Sequence, residues 1–470
     1  MALFTPEKFC MLEPRDLTPD WRRRLAMTVR ASDLTNRFLV FAPSFGVKEG
    51  EEERKLLFYS PPVDGLAKKL NRMGFAEAFL RFGRTFSSDK EPWAESGTDR
   101  EISLSVEVET GYLVSISFDR AESEKRHYPI RGSAVSIILI DFYNLFCFFH
   151  GRFDDHVIRR PDRPYPDAGR LKQRLAHFCP RYLELLRFHF WPLMDVLKGV
   201  NYLNIGKVDF LKGQKIFGRI NERFPNVKNV MLLVNDRLLY QNMNDIKDTM
   251  MLIYKFVVDT LLPSLFRREL QPENRRQSMQ TDLAREAKTT PSPSPSRSSS
   301  PSPPPPPPLQ EQSVNVGRFL IGDAYIFPFS DGSDADMSVH GTPRIFVYNG
   351  NGEKASEYFF VVYRVFTATL IALVPCDDQS FLDNEFKTTL DAIVGPSMCD
   401  LAYSIGENLT KFRNDPPSYP YIYYNPANSQ IFCTLTPTFV STNRPSHSAK
   451  IYGILYDLRK ELSKSTCTTS

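Results

Sequence analysis

Between Pro291 and Pro308 the chain reads PSPSPSRSSSPSPPPPPP. Proline has no amide hydrogen to give a helix or a strand ladder, and its ring fixes φ. Serine adds nothing to bury. Such a run is extended and solvated. The polar, charged stretch Gln271–Thr290 lengthens it, so 271–313 is expected to be a disordered insertion. Any fold must be assembled from the chain on either side. The run also has the composition of a polyproline ligand for SH3 or WW partners, with serines before proline as phosphorylation candidates. A loop inserted between two elements is the plainer reading.

The whole chain has 470 residues, enough for two or three domains of about 150 residues each. Lys and Arg number 59 against 55 Asp and Glu, a net charge of +4. That near-balance argues against a dedicated nucleic-acid binder, which concentrates basic charge. Phe (36) and Tyr (20) are abundant, as suits sheets with aromatic cores. Seven cysteines stand far apart with no CxxC pair, so neither a disulfide framework nor a Cys-rich zinc site is expected. The apolar run Ala134–Phe149 is interrupted by Asp141 and Asn144 and is shorter than a membrane span. The acids and prolines of MALFTPEKFCMLEPRD do not read as a secretion signal. A cytoplasmic protein that meets membranes peripherally, through partners, is the expectation.

One order of elements recurs. Asn36–Ala42 and Leu56–Tyr59 read as short strands around a glycine-containing, glutamate-rich loop, followed by a helix over Val63–Phe86. Glu101–Glu109 and Gly111–Asp119 alternate with period two and form a second hairpin. Ser133 is placed to cap a long apolar helix ending at His150, and another helix is expected over Asp167–Phe188. The order begins again at Asn229–Val234 and Arg237–Tyr240, which flank the turn Asn235-Asp236, and continues into a helix over Asp245–Leu265. Strands at Arg318–Ile321, Arg344–Tyr348 and Tyr358–Val374 and a helix over Phe381–Leu409 complete it. A third start appears at Tyr419–Asn425 and Gln430–Leu435, with a helix over Ala449–Leu462.

Sites for small-molecule chemistry are hard to find. His150, Asp154, Asp155 and His156 have metal-ligand character, but the segment reads as a solvated loop. Asp331–Asp336 lacks the sixth-position glycine and the closing glutamate of a calcium loop. Asn349–Gly352 reads as a turn, and no GxxxxGK[ST], GxSxG or HExxH is present. No cofactor, no metal and no catalytic side chains are expected.

Short motifs in order carry a family resemblance. Phe38-Leu39-Val40-Phe41, Pro43, Phe45-Gly46, Glu49-Gly50-Glu51-Glu52, Lys55-Leu56-Leu57-Phe58-Tyr59 and Pro61 resemble the opening of the Ccz-type vacuolar fusion proteins. So do Gly74-Phe75-Ala76-Glu77-Ala78 and Arg84-Thr85-Phe86-Ser87. Leu171-Lys172, Arg174-Leu175 and Arg181-Tyr182-Leu183 are similar to the helix that closes the family's first domain. Arg318-Phe319-Leu320, Ile345-Phe346-Val347, Val362-Tyr363 and Leu390–Pro396 resemble its middle domain. The resemblance runs from about Phe38 to about Leu462. It implies an α/β (α+β) fold of tandem longin domains, each a mostly antiparallel sheet flanked by helices.

The expected division is an N-terminal extension (1–35), a first longin domain (36–190), a connecting segment (191–225) and a second longin domain (226–413) interrupted by 271–313. A partial third (416–470) would follow. The resemblance further implies a heterodimer with a Mon-type (monensin-sensitivity) longin subunit. That pair is a guanine-nucleotide exchange factor for the late-endosomal or vacuolar Rab GTPase, recruited to late endosome, lysosome or vacuole. The alternatives are a non-catalytic longin adaptor or tether, or the related longin subunit of a lysosome-related-organelle exchange complex.

Two regions are candidates for partner or GTPase contact. One is the first hairpin and its acidic tip, with Phe45, Glu49, Glu51, Glu52, Lys55, Phe58 and Tyr59. The other is the helix after it, with Phe75, Phe79, Phe82, Arg84 and Phe86. Leu66, Leu70 and Met73 supply one helical face, and the phenylalanines widen the apolar surface beyond a single stripe. A helix packed wholly inside its own domain and a helix paired with a partner both fit that pattern. The acidic tip reads either as a solvated face or as a contact.

Overall fold

The structure is a computed structural model describing residues 28–46, 48–86, 93–125, 130, 132–161, 165–189, 199–263, 317–320, 338–339, 342–348, 355–377, 385–411, 421–425 and 428–433. The expected disordered insertion, the turns at 331–336 and 349–352 and the helix at 449–462 lie outside them. Two longin-type sheets make up the described fold.

The first sheet has the order β3-β2-β6-β5-β4, all antiparallel. Its strands are β2 (Thr35–Phe41), β3 (Leu56–Ser60), β4 (Trp93–Gly97), β5 (Glu101–Glu109) and β6 (Tyr112–Asp119). A three-residue strand β1 (Thr28–Arg30) pairs with β7 (Arg187–His189). The β2–β3 connection is more than a loop, because it carries the short helix α1 (Glu52–Lys55). Helix α2 (Leu66–Phe86) follows. The short helix α3 (Arg120–Lys125) leads to α4 (Gly132–His150) and α5 (Gly169–Leu185). Ser133 lies inside the first turn of α4, where its carbonyl accepts from the Ser136 hydroxyl at 2.9 Å, and so it is not the cap.

The second sheet repeats the same order as β9-β8-β14-β13-β12, with β10 and β11 as short additions. The strands are β8 (Asn229–Val234), β9 (Arg237–Gln241), β10 (Arg318–Phe319), β11 (Ser338–Val339), β12 (Thr342–Val347), β13 (Ser356–Val365) and β14 (Ala368–Pro375). The single long strand expected over Tyr358–Val374 is a hairpin that turns at Phe366, whose φ is 51°. The expected connecting segment holds a 17-residue helix, α6 (Lys207–Arg223). Helix α7 (Lys247–Lys255) continues as a π-helical turn to Leu261, and α8 (Glu385–Lys411) closes the domain. A small hairpin, β15 (Ile422–Asn425) and β16 (Gln430–Cys433), comes last. Residues 200–202 join it to the second sheet, pairing with Gln430 on one side and Leu238 on the other. Tyr254 pins this junction, accepting from the Asn201 amide at 3.1 Å and donating to the Asp236 carbonyl at 2.7 Å.

The two sheets lie back to back across a shared helical layer. Val40, Val114, Ile116 and Phe118 of the first and Met231, Phe360, Val362 and Ile371 of the second belong to one core with α4, α5 and α7. Helix α4 is long and apolar enough to cross a membrane by length and composition, but most of it is buried between these sheets. Phe148 meets Phe360 edge-on at 5.6 Å, and Phe149 meets Phe256 at 5.2 Å. Asp141, the charge that interrupts the apolar run, faces Lys255 of α7 at 3.2 Å. The described layers are α2, first sheet, α4/α5/α7, second sheet, and α6/α8.

The turn after α4 corrects the expectation of a solvated loop. His150 and His156 are buried. A His156 Nε2–H group faces the His150 carbonyl at 2.7 Å, and Arg174 sits 2.7 Å from His150 Nδ1. Burial first, and then the Arg174 charge, pull the His156 pKa down to about 4. The loop also meets the second domain, since the Arg152 amide donates to the Tyr348 hydroxyl at 3.1 Å. Among the described residues, no group of three His, Cys, Asp or Glu side chains could hold a metal.

Candidate partner-binding surface

Helix α2 forms because Leu66–Phe86 has no interior proline or run of β-branched residues and is rich in strong helix formers. It lies on the outer face of the first sheet. Met73, Ala76 and Leu80 point inward onto Leu39, Phe41, Tyr59 and Leu113. Leu56, Ala94 and the Arg37–Glu101 pair extend this floor, and serines fill its middle. The Ser105 hydroxyl donates to Ser115 at 2.9 Å, and Ser103 and Ser117 bond at 2.8 Å. These small, mutually satisfied groups carry little apolar area, so α2 sits on a floor with little grip of its own.

The opposite side of α2 is a row of aromatics. Phe75 and Phe82 are 50% and 63% exposed, and Phe79, half-buried, stacks on Phe75 at 5.9 Å. Burying such rings in water-free contact is favourable, and leaving them wet carries a solubility cost. Arg84 and Phe86 lie on the last turn of the helix, where their side chains are outside the described residues. Cations border the row. Arg81 reaches Glu77 at 2.7 Å, which also meets Lys55 at 3.2 Å, and Lys68 reaches Asp64 at 2.7 Å.

The hairpin residues divide. Phe45 is 3% exposed and packs edge-on against Tyr112 at 5.8 Å. Tyr59 is 8% exposed, with its hydroxyl donating to Asp64 at 2.7 Å; burial and that bond push its pKa up to about 12. Both are core, and neither has a surface to offer a partner. Their position next to a glycine-rich loop did not reveal which way they point. Phe58 is half-buried on the inner face against Phe38. Lys55 is held by Glu77.

The acidic tip is partly organised. Glu51 accepts from the Tyr165 hydroxyl, whose ring stacks under Arg54 at 4.0 Å. Glu52 accepts from the Gly50 amide at 3.1 Å, and backbone hydrogen bonds hold its pKa below the ordinary carboxylate value. Glu49 is exposed. The aromatic row and this tip are thus reached from two sides of β3, an edge strand of the sheet. The serine floor and the cations along α2 were not singled out in the sequence. The SLSVEVE and VSISF alternation, with serine at every second place, was the available signal.

Comparison with known proteins adds to this geometry. Residues 35–151 match the family model described as the first longin domain of INTU, CCZ1 and HPS4. Residues 227–395 match the one described as Intu longin-like domain 2. The chain is 28% identical over 438 residues to the vacuolar fusion protein CCZ1 homolog of Xenopus tropicalis, covering 88% of this chain and 82% of that protein. For the Danio rerio CCZ1 homolog the identity is 28% over 410 residues, covering 83% and 75%. For the Nematostella vectensis homolog it is 25% over 403 residues, covering 83% and 77%.

Proposed function

We propose, from the premise that this chain belongs to the CCZ1-type longin proteins, that it acts in vacuolar fusion as one subunit of a heterodimeric guanine-nucleotide exchange factor. Its partner is a Mon-type longin subunit and its substrate a late-endosomal Rab GTPase. The observation that carries the reading is the aromatic row of exposed Phe75 and Phe82 with half-buried Phe79 on the helix that, among the described residues, covers the outer face of the first sheet.

Exchange asks for little covalent chemistry. A GTPase holds its nucleotide through Mg²⁺ and ordered switch segments. A protein that binds the displaced switches weakens nucleotide binding, and by linkage nucleotide weakens the protein in turn. What is needed is a rigid surface with apolar anchors and a few charges. The first domain supplies Phe75, Phe79 and Phe82 as anchors, and its acidic tip supplies Glu49 as an exposed and Glu52 as a half-buried carboxylate. The third hairpin, β15–β16, is read as the start of a partial third longin domain, attached through residues 200–202.

Nucleotide release from a panel of Rab GTPases tests the proposal, using the chain alone and with the Mon-type subunit. Release by the pair and little by the single chain is the expected result. Strong release by the single chain, or none by the pair with any Rab, overturns it. Phe82→Asp should abolish pairing while circular dichroism shows an intact fold, because an aromatic anchor is worth about 2 kcal/mol or more and a charge in a dry interface adds a desolvation cost. Unfolding by this substitution would make Phe82 a core residue.

A further inference from the structure

Along α2 the residues Lys68, Arg72, Phe75, Phe79 and Phe82 follow each other at spacings of four, three, four and three. That is the 3.5-residue period of a seam between two packed helices. One seam therefore begins with two cations and continues with three aromatics. Gly74 and Ala78 stand beside the rings as small residues, with open space around Gly74, whereas Arg81 turns to Glu77 on another face.

The charge is not balanced locally. Glu77 is shared by Lys55 and Arg81, and Glu101 by Arg37 and Arg72. Asp64 takes Lys68. Five cations thus meet three carboxylates, and the carboxylates are the buried partners: Glu77 and Glu101 side chains are 10% and 12% exposed, against 69% for Arg81 and 43% for Arg72. The surplus positive charge lies on the outward side. Arg37 feels the same surplus, since burial and then the Arg72 charge lower its pKa.

We infer that the α2 seam receives a partner helix with a heptad apolar stripe flanked by Asp or Glu, the carboxylates lying opposite Lys68 and Arg72. This rests on the proposed pairing through α2 and adds the chemistry of what pairs. Matched charge across a rim accelerates encounter and fixes register, while the buried rings hold the complex. A like-charged helix would meet two exposed cations in the same register and be rejected.

Association of the full-length chain with the Mon-type subunit, at 50 and 300 mM salt, gives the test. The variant Lys68→Gln/Arg72→Gln keeps Glu101 paired with Arg37 and Asp64 bonded to Tyr59. It should associate about tenfold more slowly at low salt and lose the salt dependence of the rate, with an unchanged melting curve. Salt-independent association of the native chain at the same rate as the double variant, while Phe82→Asp still abolishes binding, overturns the acidic partner helix and leaves the pairing surface standing. Normal binding by Phe82→Asp overturns both. If the double variant melts early, Lys68→Gln alone decides: a slower on-rate with reduced salt slope supports the inference, and an unchanged one overturns it.

Discussion

On the outer side of the second sheet, α6 and α8 lie on Val230, Leu232, Val361, Leu370 and Ala372, and they meet each other through Ser404, Asp209 and Lys212. On the outer side of the first, α2, alone among the described helices, lies on a smaller apolar patch and a serine ladder. The strand order beneath is the same. One sheet carries two helices on an extended apolar floor, and the other a single described helix with its large aromatics on the far side. Both outer layers leave apolar side chains in water: Val208, Phe210 and Leu211 of α6 and Tyr403 of α8 are exposed, as are Phe75 and Phe82 of α2. The aromatics of α2 differ in following one another at seam spacing, with Phe79 stacked on Phe75, so side-chain placement, and not fold, selects the proposed interaction surface.

The largest contrast should come from truncating one residue in each outer layer. Met398 of α8 is fully buried, so Met398→Ala should cost about 2–5 kcal/mol in a denaturant melt. Phe82→Ala should stay within about 0.5 kcal/mol, as an exposed substitution does. Equal costs would erase the distinction between the two faces.

A second effect concerns the joint between the halves. The His156 pKa is about 4 in the folded chain against 6.5 ordinarily, so the unfolded chain takes up the proton first as the pH falls. The contribution is complete above pH 6.5 and is lost toward pH 4, up to about 3 kcal/mol. His156→Gln should flatten that part of the stability–pH curve, and an unchanged slope would show that His156 is not responsible.

The serine ladder makes a smaller, sharper prediction. Ser115→Ala strands the Ser105 hydroxyl under α2 and should cost about 1–2 kcal/mol, whereas removing both hydroxyls should be nearly neutral. Additive costs in this double-mutant cycle would mean that the bond is not a closed pair. Smallest of all is Gly74→Ala. Nothing lies within 4 Å of the added methyl, so helix propensity alone should stabilise the fold by roughly 0.5–1 kcal/mol. In the second domain a Gly213 methyl would press on Leu239 at 3.0 Å, and the same substitution should gain less.

The sheets were readable where side chains alternate. EISLSVEVE and YLVSISFD announced strands by alternation, and NVMLLV-ND-RLLY announced a hairpin by its turn, but the bulges at Glu107/Glu109 and Leu232/Leu233 left no mark in the pattern. WAESG announced no strand, because a short edge strand carrying glutamate and glycine has no apolar period. Helix α6 escaped notice because Gly213 and Gly218 interrupt its pattern and its inward Asp209 looks like a surface residue. The turn at Phe366 was hidden by a residue type that rarely takes positive φ. Phe75, Phe79 and Phe82 were legible as one helical face, since spacing reports direction along a helix. Phe45 and Tyr59 were not, since nothing local tells a hairpin aromatic whether it faces core or solvent.

Helix α4 has a consequence for how the molecule can be taken apart. It serves two sheets at once, so a cut between residues 190 and 199 divides the sequence without dividing the free energy. A fragment ending there would carry Phe148 and Phe149 into water, and its remainder would lose the cover of Phe256 and Phe360. The halves are therefore expected to melt in one cooperative transition. A half exchanged with a relative's would have to bring a matching set of rings for the shared helix, which ties the two repeats into a single unit of inheritance.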